Sequence, residues 1–316
     1  MMINIMTAYK TGLVDALKEK KMLLWLYGFN LIFAYLLTMP VSMMLSKALN
    51  NTTAASKVLE AFDISIFATI MDQYGKSLSF SRSILTIGLL YMVVNIFFAG
   101  GILKIFSGDG KFNLSDFLGG CVKYFNRFLR LFLFSVLWLI LIFILQLLLS
   151  KIFGLFTKNA STEHLSIILF FIRILFTGIL LAFVNMVFDY AKIMTVCNDF
   201  TAMFQTMKNA IIFVIMSLRK TTSLYALYLF TAIILLAVYL LVESLLSVNS
   251  AFMVVVFFIL SQLYMLTRVW IRLSFFAGQY TFYRHASTAM PGMNKEMPDE
   301  AVSQYEDGST GQKESN

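Results

Sequence analysis

Polar and charged side chains set inside long apolar runs are the residues of this 316-residue chain that can do chemistry. In hydrocarbon each costs a few kcal/mol unless it is paired or hydrated, so each needs a reason to be there. Arg173, Gln146 and Gln262 fall at comparable depths along their apolar runs, and Glu243 lies closer to the outer surface. Together they can form a polar site for an anionic headgroup or solute. Alternatively, Arg173 and Glu243 form an interhelical salt bridge with snorkelling. Arg268 and Arg272 share one face of a helix, with Trp270 between them. Their planar guanidinium forks suit phosphate and carboxylate. Hydropathy places this pair at the inner interface as ordinary anchors. The internal repeat described below places it deeper, facing the bundle interior.

Asn95 and Asn185 occupy matching places in two of the repeated units, where they can hydrogen-bond across an interface in a structural role. Asp189, beside Tyr190 and Lys192, reads as a solvated or salt-bridged carboxylate at the cytoplasmic edge. Catalytic motifs are missing. There is no His-Glu-x-x-His, no Gly-x-Ser-x-Gly and no phosphate loop, and Ser107-Gly108-Asp109-Gly110-Lys111 is a tight turn. His164 and His285 fall on opposite sides of the membrane and cannot share a metal. Cys121 and Cys197 are too far apart for a Cys-x-x-Cys pair and read as buried free thiols. Neither enzymatic activity nor a cofactor is expected.

The elements that hold these residues follow from hydropathy. Apolar residues make up 59% of the chain and charged residues 13%, with mean hydropathy +0.79, which no ordinary soluble domain matches. A spanning helix needs about 20 apolar residues. Six stretches qualify: Met22–Lys47, Ile84–Leu103, Leu131–Phe153, Leu165–Phe188, Leu224–Leu246 and Phe252–Leu273. None alternates as a barrel strand would. The first is no cleaved signal peptide, because its apolar run is too long and no small-residue cleavage site follows.

The net charge of +8 is a matter of position. Eighteen of the 25 lysines and arginines fall before span one, between spans two and three, between spans four and five, or at the end of span six and beyond it. That bias predicts both termini in the cytoplasm of a multi-pass cell-membrane protein. The basic excess suits anionic lipid headgroups as partners, and it speaks against nucleic acid.

The spans are expected to belong to three repeated units, about 1–106, 107–197 and 198–285. Each is an amphipathic interfacial helix followed by a helical hairpin, in an all-α membrane protein. The echo is clearest at Phe97-Phe98-Ala99-Gly100-Gly101, Phe188-Asp189-Tyr190-Ala191 and Phe275-Phe276-Ala277-Gly278-Gln279. Its anchors Phe98, Phe188 and Phe276 lie 90 and 88 residues apart. The amphipathic segments carry Met6, Tyr9, Leu13, Ala16 and Leu17; then Leu114, Phe117, Leu118, Cys121, Val122, Phe125, Phe128 and Leu129; then Phe200, Met203, Phe204, Met207, Ile211 and Val214. Asn113 or Ser115 caps the second and Asp199 the third. Such helices lie in the headgroup plane or pack on the spans. The first outer connection can carry a surface helix with Val58, Leu59, Phe62, Ile66 and Ile70 inward. Asn50-Asn51-Thr52-Thr53 and Asn159-Ala160-Ser161 match glycosylation acceptors. Residues 286–316 read as a disordered, acidic cytoplasmic tail.

Asn95-x-x-Phe98-Ala99-Gly100-Gly101, Asp116-Phe117 through Tyr124-Phe125-x-Arg127-Phe128, Asp189-Tyr190-Ala191-Lys192 and Arg268-x-x-x-Arg272 together carry a resemblance. The chain resembles a loose group of bacterial six-span membrane proteins and is similar to the membrane domain preceding some glycerophosphodiester phosphodiesterases. The phosphodiesterase domain is not present in this sequence, so the resemblance implies a bacterial membrane protein and no such activity. Two functions are expected. One is handling or transport of an anionic lipid or small solute. The other is a membrane scaffold or assembly factor that recruits a protein partner through its interfacial helices and tail.

Overall fold

The computed structural model describes residues 4–50, 78–108, 112–157, 163–246 and 250–288. These form α1 (Ile5–Lys18), α2 (Lys20–Asn50), α3 (Leu78–Ser107), α4 (Leu114–Thr157), α5 (Glu163–Cys197), α6 (Met203–Met216), α7 (Leu218–Leu245) and α8 (Ala251–Thr288), with no strand among the described residues. All but α1 and α6 are long and apolar enough to cross a membrane, as a multi-pass membrane protein requires. The expected surface helix around Phe62, the glycosylation matches apart from Asn50 at the end of α2, and the residues after 288 lie outside the described residues. Residues 286–288, expected in the tail, belong to α8, which runs on to Thr288.

Several of the long helices overrun a bilayer. At 1.5 Å per residue, α4 is about 66 Å long against about 30 Å of hydrocarbon, because the second amphipathic segment and span three form one continuous helix of 44 residues. The excess of α3, α4, α5 and α8 gathers at one end, around α1 and α6. There the side chains pack as in a soluble core: Leu103, Phe128, Tyr190, Ile193, Phe213, Leu273 and Phe282 are almost fully buried. At the other end Leu137, Phe171, Leu240 and Phe258 are more than half exposed. The physical reason is the solvent. A lipid-facing helix gains little by burying apolar surface, whereas ends that reach water must bury theirs.

Within the long helices α3, α5 and α8 touch one another, and α2, α4 and α7 each lie beside their neighbour in sequence on the outside. The short segments follow one rule. The start of α4 packs on α3, α6 packs on α5, and α1 packs on α8, so the first and last helices meet at one end of the bundle. Two of these contacts need glycine. A Cβ on Gly12 of α1 would come within 2.6 Å of Ser274 O and 2.7 Å of Gly278 N on α8. A Cβ on Gly101 of α3 would come within 2.6 Å of Phe117 O on α4. The glycines after Phe98 and Phe276 thus lie where α4 crosses α3 and where α1 crosses α8.

Packing corrects several faces read from periodicity. In α1 the buried residues are Ala8, Gly12 and Ala16, while Met6 and Leu17 are about half exposed. A helix pressed this close to its partner buries its smallest residues. In α4 the buried stripe is Phe117, Cys121, Tyr124, Phe128 and Leu131, and Val122 is exposed. In α6 Phe204 is 75% exposed. Asn113 does cap α4, accepting from Ser115 N at 3.2 Å. Asp199 does not cap α6, which starts from Ala202 without a side-chain cap. Instead Asp199 adopts a left-handed φ of 49° and binds Arg127 and Lys123. Cys121 is buried, but Cys197 is exposed at the end of α5, contrary to the expectation of two buried thiols.

Candidate functional site

The inner helices α3, α5 and α8 carry Asn95, Asn185, Asp189, Lys192, Arg268, Arg272 and Gln279. Arg272 of α8 donates from Nη1 to Oδ1 of Asn95 on α3, and the amide nitrogen of Asn95 is engaged by Tyr91 O one turn before it. Tyr91 in turn donates to Asn30 Oδ1 of α2 at 2.9 Å. These partners are all neutral. Among the described residues no carboxylate forms an ion pair with Arg272 or Arg268. Asp189 acts on Arg272 only from longer range.

Asp189 is spoken for. It is buried and accepts from Tyr225 Oη at 2.7 Å, Lys192 Nζ at 3.1 Å and Asn185 Nδ2 at 3.3 Å. Gln279 of α8 donates to the Tyr225 hydroxyl at 2.6 Å. The contact between α5, α7 and α8 is therefore closed by a built-in anion with its own donors. Of the two readings of Asp189, the salt-bridged one holds, through Lys192, and the solvated one does not, because the residue is buried. The structure also corrects the pairing of Asn95 with Asn185: each bonds a charged side chain instead of the other amide, since a charge inside the bundle is the stronger partner.

The other two contacts between a hairpin and the preceding inner helix are open. One cavity, of about 480 Å³, lies between α2, α3 and α8 and is lined by Asn30, Tyr91, Arg268 and Arg272 together with apolar side chains. A second, of about 470 Å³, lies between α3, α4, α5 and α8 and is lined by Asn95, Asn185, Lys192 and Arg272 among others. Both fall within the roughly 300–1,000 Å³ typical of small-molecule pockets. Arg272 lines both. The residues around these cavities bring three cations, Arg268, Arg272 and Lys192, against one carboxylate.

The depth of Arg272 reconciles the two readings of the sequence. Counting about 20 residues, or 30 Å, down from the start of α8 or α3 reaches the neighbourhood of Arg272 and Asn95. The pair thus falls about one bilayer thickness from the far ends of α8 and α3, on the side of α1, and Arg272 is turned into the bundle. Arg268, one turn away, is exposed at the cavity wall.

The cluster expected at greater height does not form. Arg173 sets its guanidinium 5.8 Å from the centroid of the Phe170 ring. Glu243 sits one turn after Tyr239 on its own helix, within electrostatic reach of that tyrosine. Gln262 accepts from the Tyr27 hydroxyl at 2.8 Å, and the Gln146 amide nitrogen is buried without a partner among the described residues. Equal depth on four helices does not make their faces converge. Sequence reading missed Asn30, Tyr91, Tyr225 and Gln279. Asn30 and Gln279 were visible as amides in or beside apolar runs, whereas tyrosines in spans carry no such signal.

Comparison with known proteins returns no relative: no family model, no curated protein and no solved structure matches the chain.

Proposed function

We propose that this multi-pass membrane protein binds an anionic ligand at Arg272 and handles or transports it without catalysing a reaction. One observation carries the reading: a guanidinium inside the bundle is held by neutral groups alone and forms a wall of two cavities. A charge removed from water without a counter-charge is costly, and a phosphate or carboxylate in either cavity would offset that cost. Asp189 fills the corresponding role between α5, α7 and α8, where it meets Tyr225, Lys192 and Asn185.

The frame of this reading is a threefold repeat of short helix plus hairpin, over 1–106, 107–197 and 198–285, with both termini cytoplasmic. Its support is the matching contact of each short segment with the helix that ends the preceding unit, α1 on α8 included, together with the lysine and arginine count. The likeness to membrane domains that precede phosphodiesterases fits this frame and contributes no activity to it.

The test is equilibrium binding of labelled phosphatidylglycerol and labelled glycerol phosphate to the purified protein in neutral detergent, for wild type and Arg272→Gln. Charge-assisted hydrogen bonds contribute about 1.5–3 kcal/mol each, so at least one of the two probes should lose roughly tenfold in affinity. If Arg272→Gln keeps its fold and binds both probes like wild type, the reading fails.

A further inference from the structure

The cleft between α2, α3 and α8 is polar at one end and apolar at the other. Along α2 the lining runs from Asn30 to Phe33, Ala34 and Leu37; along α3 from Tyr91 to Gly88 and Ile87; along α8 from Arg272 through Arg268 to Met265. Since α2 runs away from the α1 end and α3 and α8 run toward it, all three series place their polar groups at that end. The apolar residues rise one to two turns, about 5–11 Å, into the hydrocarbon. At the apolar end the cleft faces sideways: Ala34 is exposed, and the neighbouring Ile32, Leu37, Leu85 and Leu89 are 42–65% exposed.

A soluble phosphate needs only the polar end and an aqueous path. This cleft adds an apolar wall and opens onto hydrocarbon. Its polarity gradient matches that of a lipid in the nearer leaflet, with phosphate at the hydrocarbon boundary and chain toward the bilayer centre. We infer that this cleft holds one anionic phospholipid, its phosphate on Arg272 and Arg268 and an acyl chain along Phe33, Leu37 and Ile87. The inference rests on the anion-binding reading above and adds the ligand class, its position and its direction of entry.

Gly88 makes the cleft testable. A Cβ built there meets nothing within 4 Å, and the same holds for Gly178, which lies on α5 and lines neither cavity. Gly88→Phe should fill the cleft, while Gly178→Phe adds the same side chain elsewhere in a span. Ala34→Phe fills the cleft from the facing helix and serves if Gly88→Phe does not fold. The probe is phosphatidylglycerol in neutral detergent, with phosphatidylcholine and free glycerol phosphate as competitors and the full chain as receptor.

Gly88→Phe or Ala34→Phe should weaken phosphatidylglycerol binding at least tenfold, Gly178→Phe should leave it within twofold, and both competitors should displace it poorly. Equal displacement by glycerol phosphate would make the ligand a soluble anion and overturn the inference. So would loss on Ser135→Phe, which fills the second cavity, with none on Gly88→Phe or Ala34→Phe. In either case a loss on Arg272→Gln leaves the anion-binding reading standing. Binding insensitive to Arg272→Gln as well overturns both.

Discussion

Arg272 Nη1 lies 2.5 Å from Asn95 Oδ1, and this hydrogen bond joins α8 to α3 where the bundle meets its buried end. The acceptor is neutral, so the pairing fixes the guanidinium without cancelling its charge.

Two substitutions at Asn95 separate these roles. Asn95→Leu removes the acceptor and leaves a half-buried charge short of a partner, which should cost about 1–3 kcal/mol and lower the melting temperature in detergent. Asn95→Asp supplies the missing counter-charge. It should fold at least as well as Asn95→Leu and bind phosphatidylglycerol at least tenfold more weakly than wild type. Wild-type affinity in Asn95→Asp would mean that the charge at Arg272 is not what the ligand meets.

The contact between α1 and α8 should tolerate no side chain at Gly12. A Cβ there falls 2.6–2.7 Å from backbone atoms of Ser274 and Gly278, which cannot yield as a flexible side chain would. Gly12→Leu should destabilise the protein by about 1–3 kcal/mol or more through overpacking. Gly28→Ala, with open space around its Cβ, should be neutral or stabilising by up to about 1 kcal/mol from helix propensity. Thermal unfolding of the two variants in one detergent decides it, and equal melting temperatures would count against the packing described.

Asp199 should make stability sensitive to acid. Its own burial, the largest single influence, pushes its carboxyl up. The hydrogen bonds and charges of Lys123 and Arg127 outweigh that and hold it below the ordinary 3.8. A carboxyl lowered in the folded state contributes fully above its unfolded pKa, and the contribution is lost as pH falls through the folded value. The melting temperature should therefore drop on acidification below about pH 4. Part of that drop should vanish in Asp199→Asn, which keeps a residue suited to the left-handed backbone. Because Asp199 is half exposed, the neutral-pH difference should stay within about 1 kcal/mol.

Cys197 and Cys121 offer a test of orientation. Cys197 is exposed at the end of α5 and Cys121 is buried between α3 and α4. A membrane-impermeant maleimide should modify Cys197 and spare Cys121 in the folded protein. With the charge bias read as cytoplasmic, labelling should occur in inside-out vesicles and fail in right-side-out ones. The reverse pattern would invert the topology, and with it the leaflet assigned to the lipid.

Much of the fold was legible because hydrocarbon imposes a single demand. A run of about 20 apolar residues must satisfy its backbone internally, so length and hydropathy alone mark the six spans. The echo at Phe98 and Phe276 was legible for a related reason, since the start of α4 leaves no room for a side chain at Gly101 and the Tyr228 side chain of α7 leaves none at Gly278. What periodicity misread was which face of the short helices is buried. It named Ala16 correctly but favoured the large Met6 and Leu17 over Ala8 and Gly12, which the structure buries, because close approach selects small residues and hydropathy does not measure it.

The site was the least legible part. From sequence, Arg173 and Glu243 look like partners, and Arg268 and Arg272 read either as interface anchors or as facing the bundle interior, because depth along a helix can be counted and rotation about its axis cannot. The sequence by itself determined six apolar helices, their polar exceptions and the side on which positive charge collects, all of which are properties of one segment at a time. Only the tertiary structure decided that Arg272 turns inward to a neutral asparagine while Asp189 finds Tyr225, Lys192 and Asn185. Those pairings depend on which helix faces which, and packing between segments distant in sequence sets that.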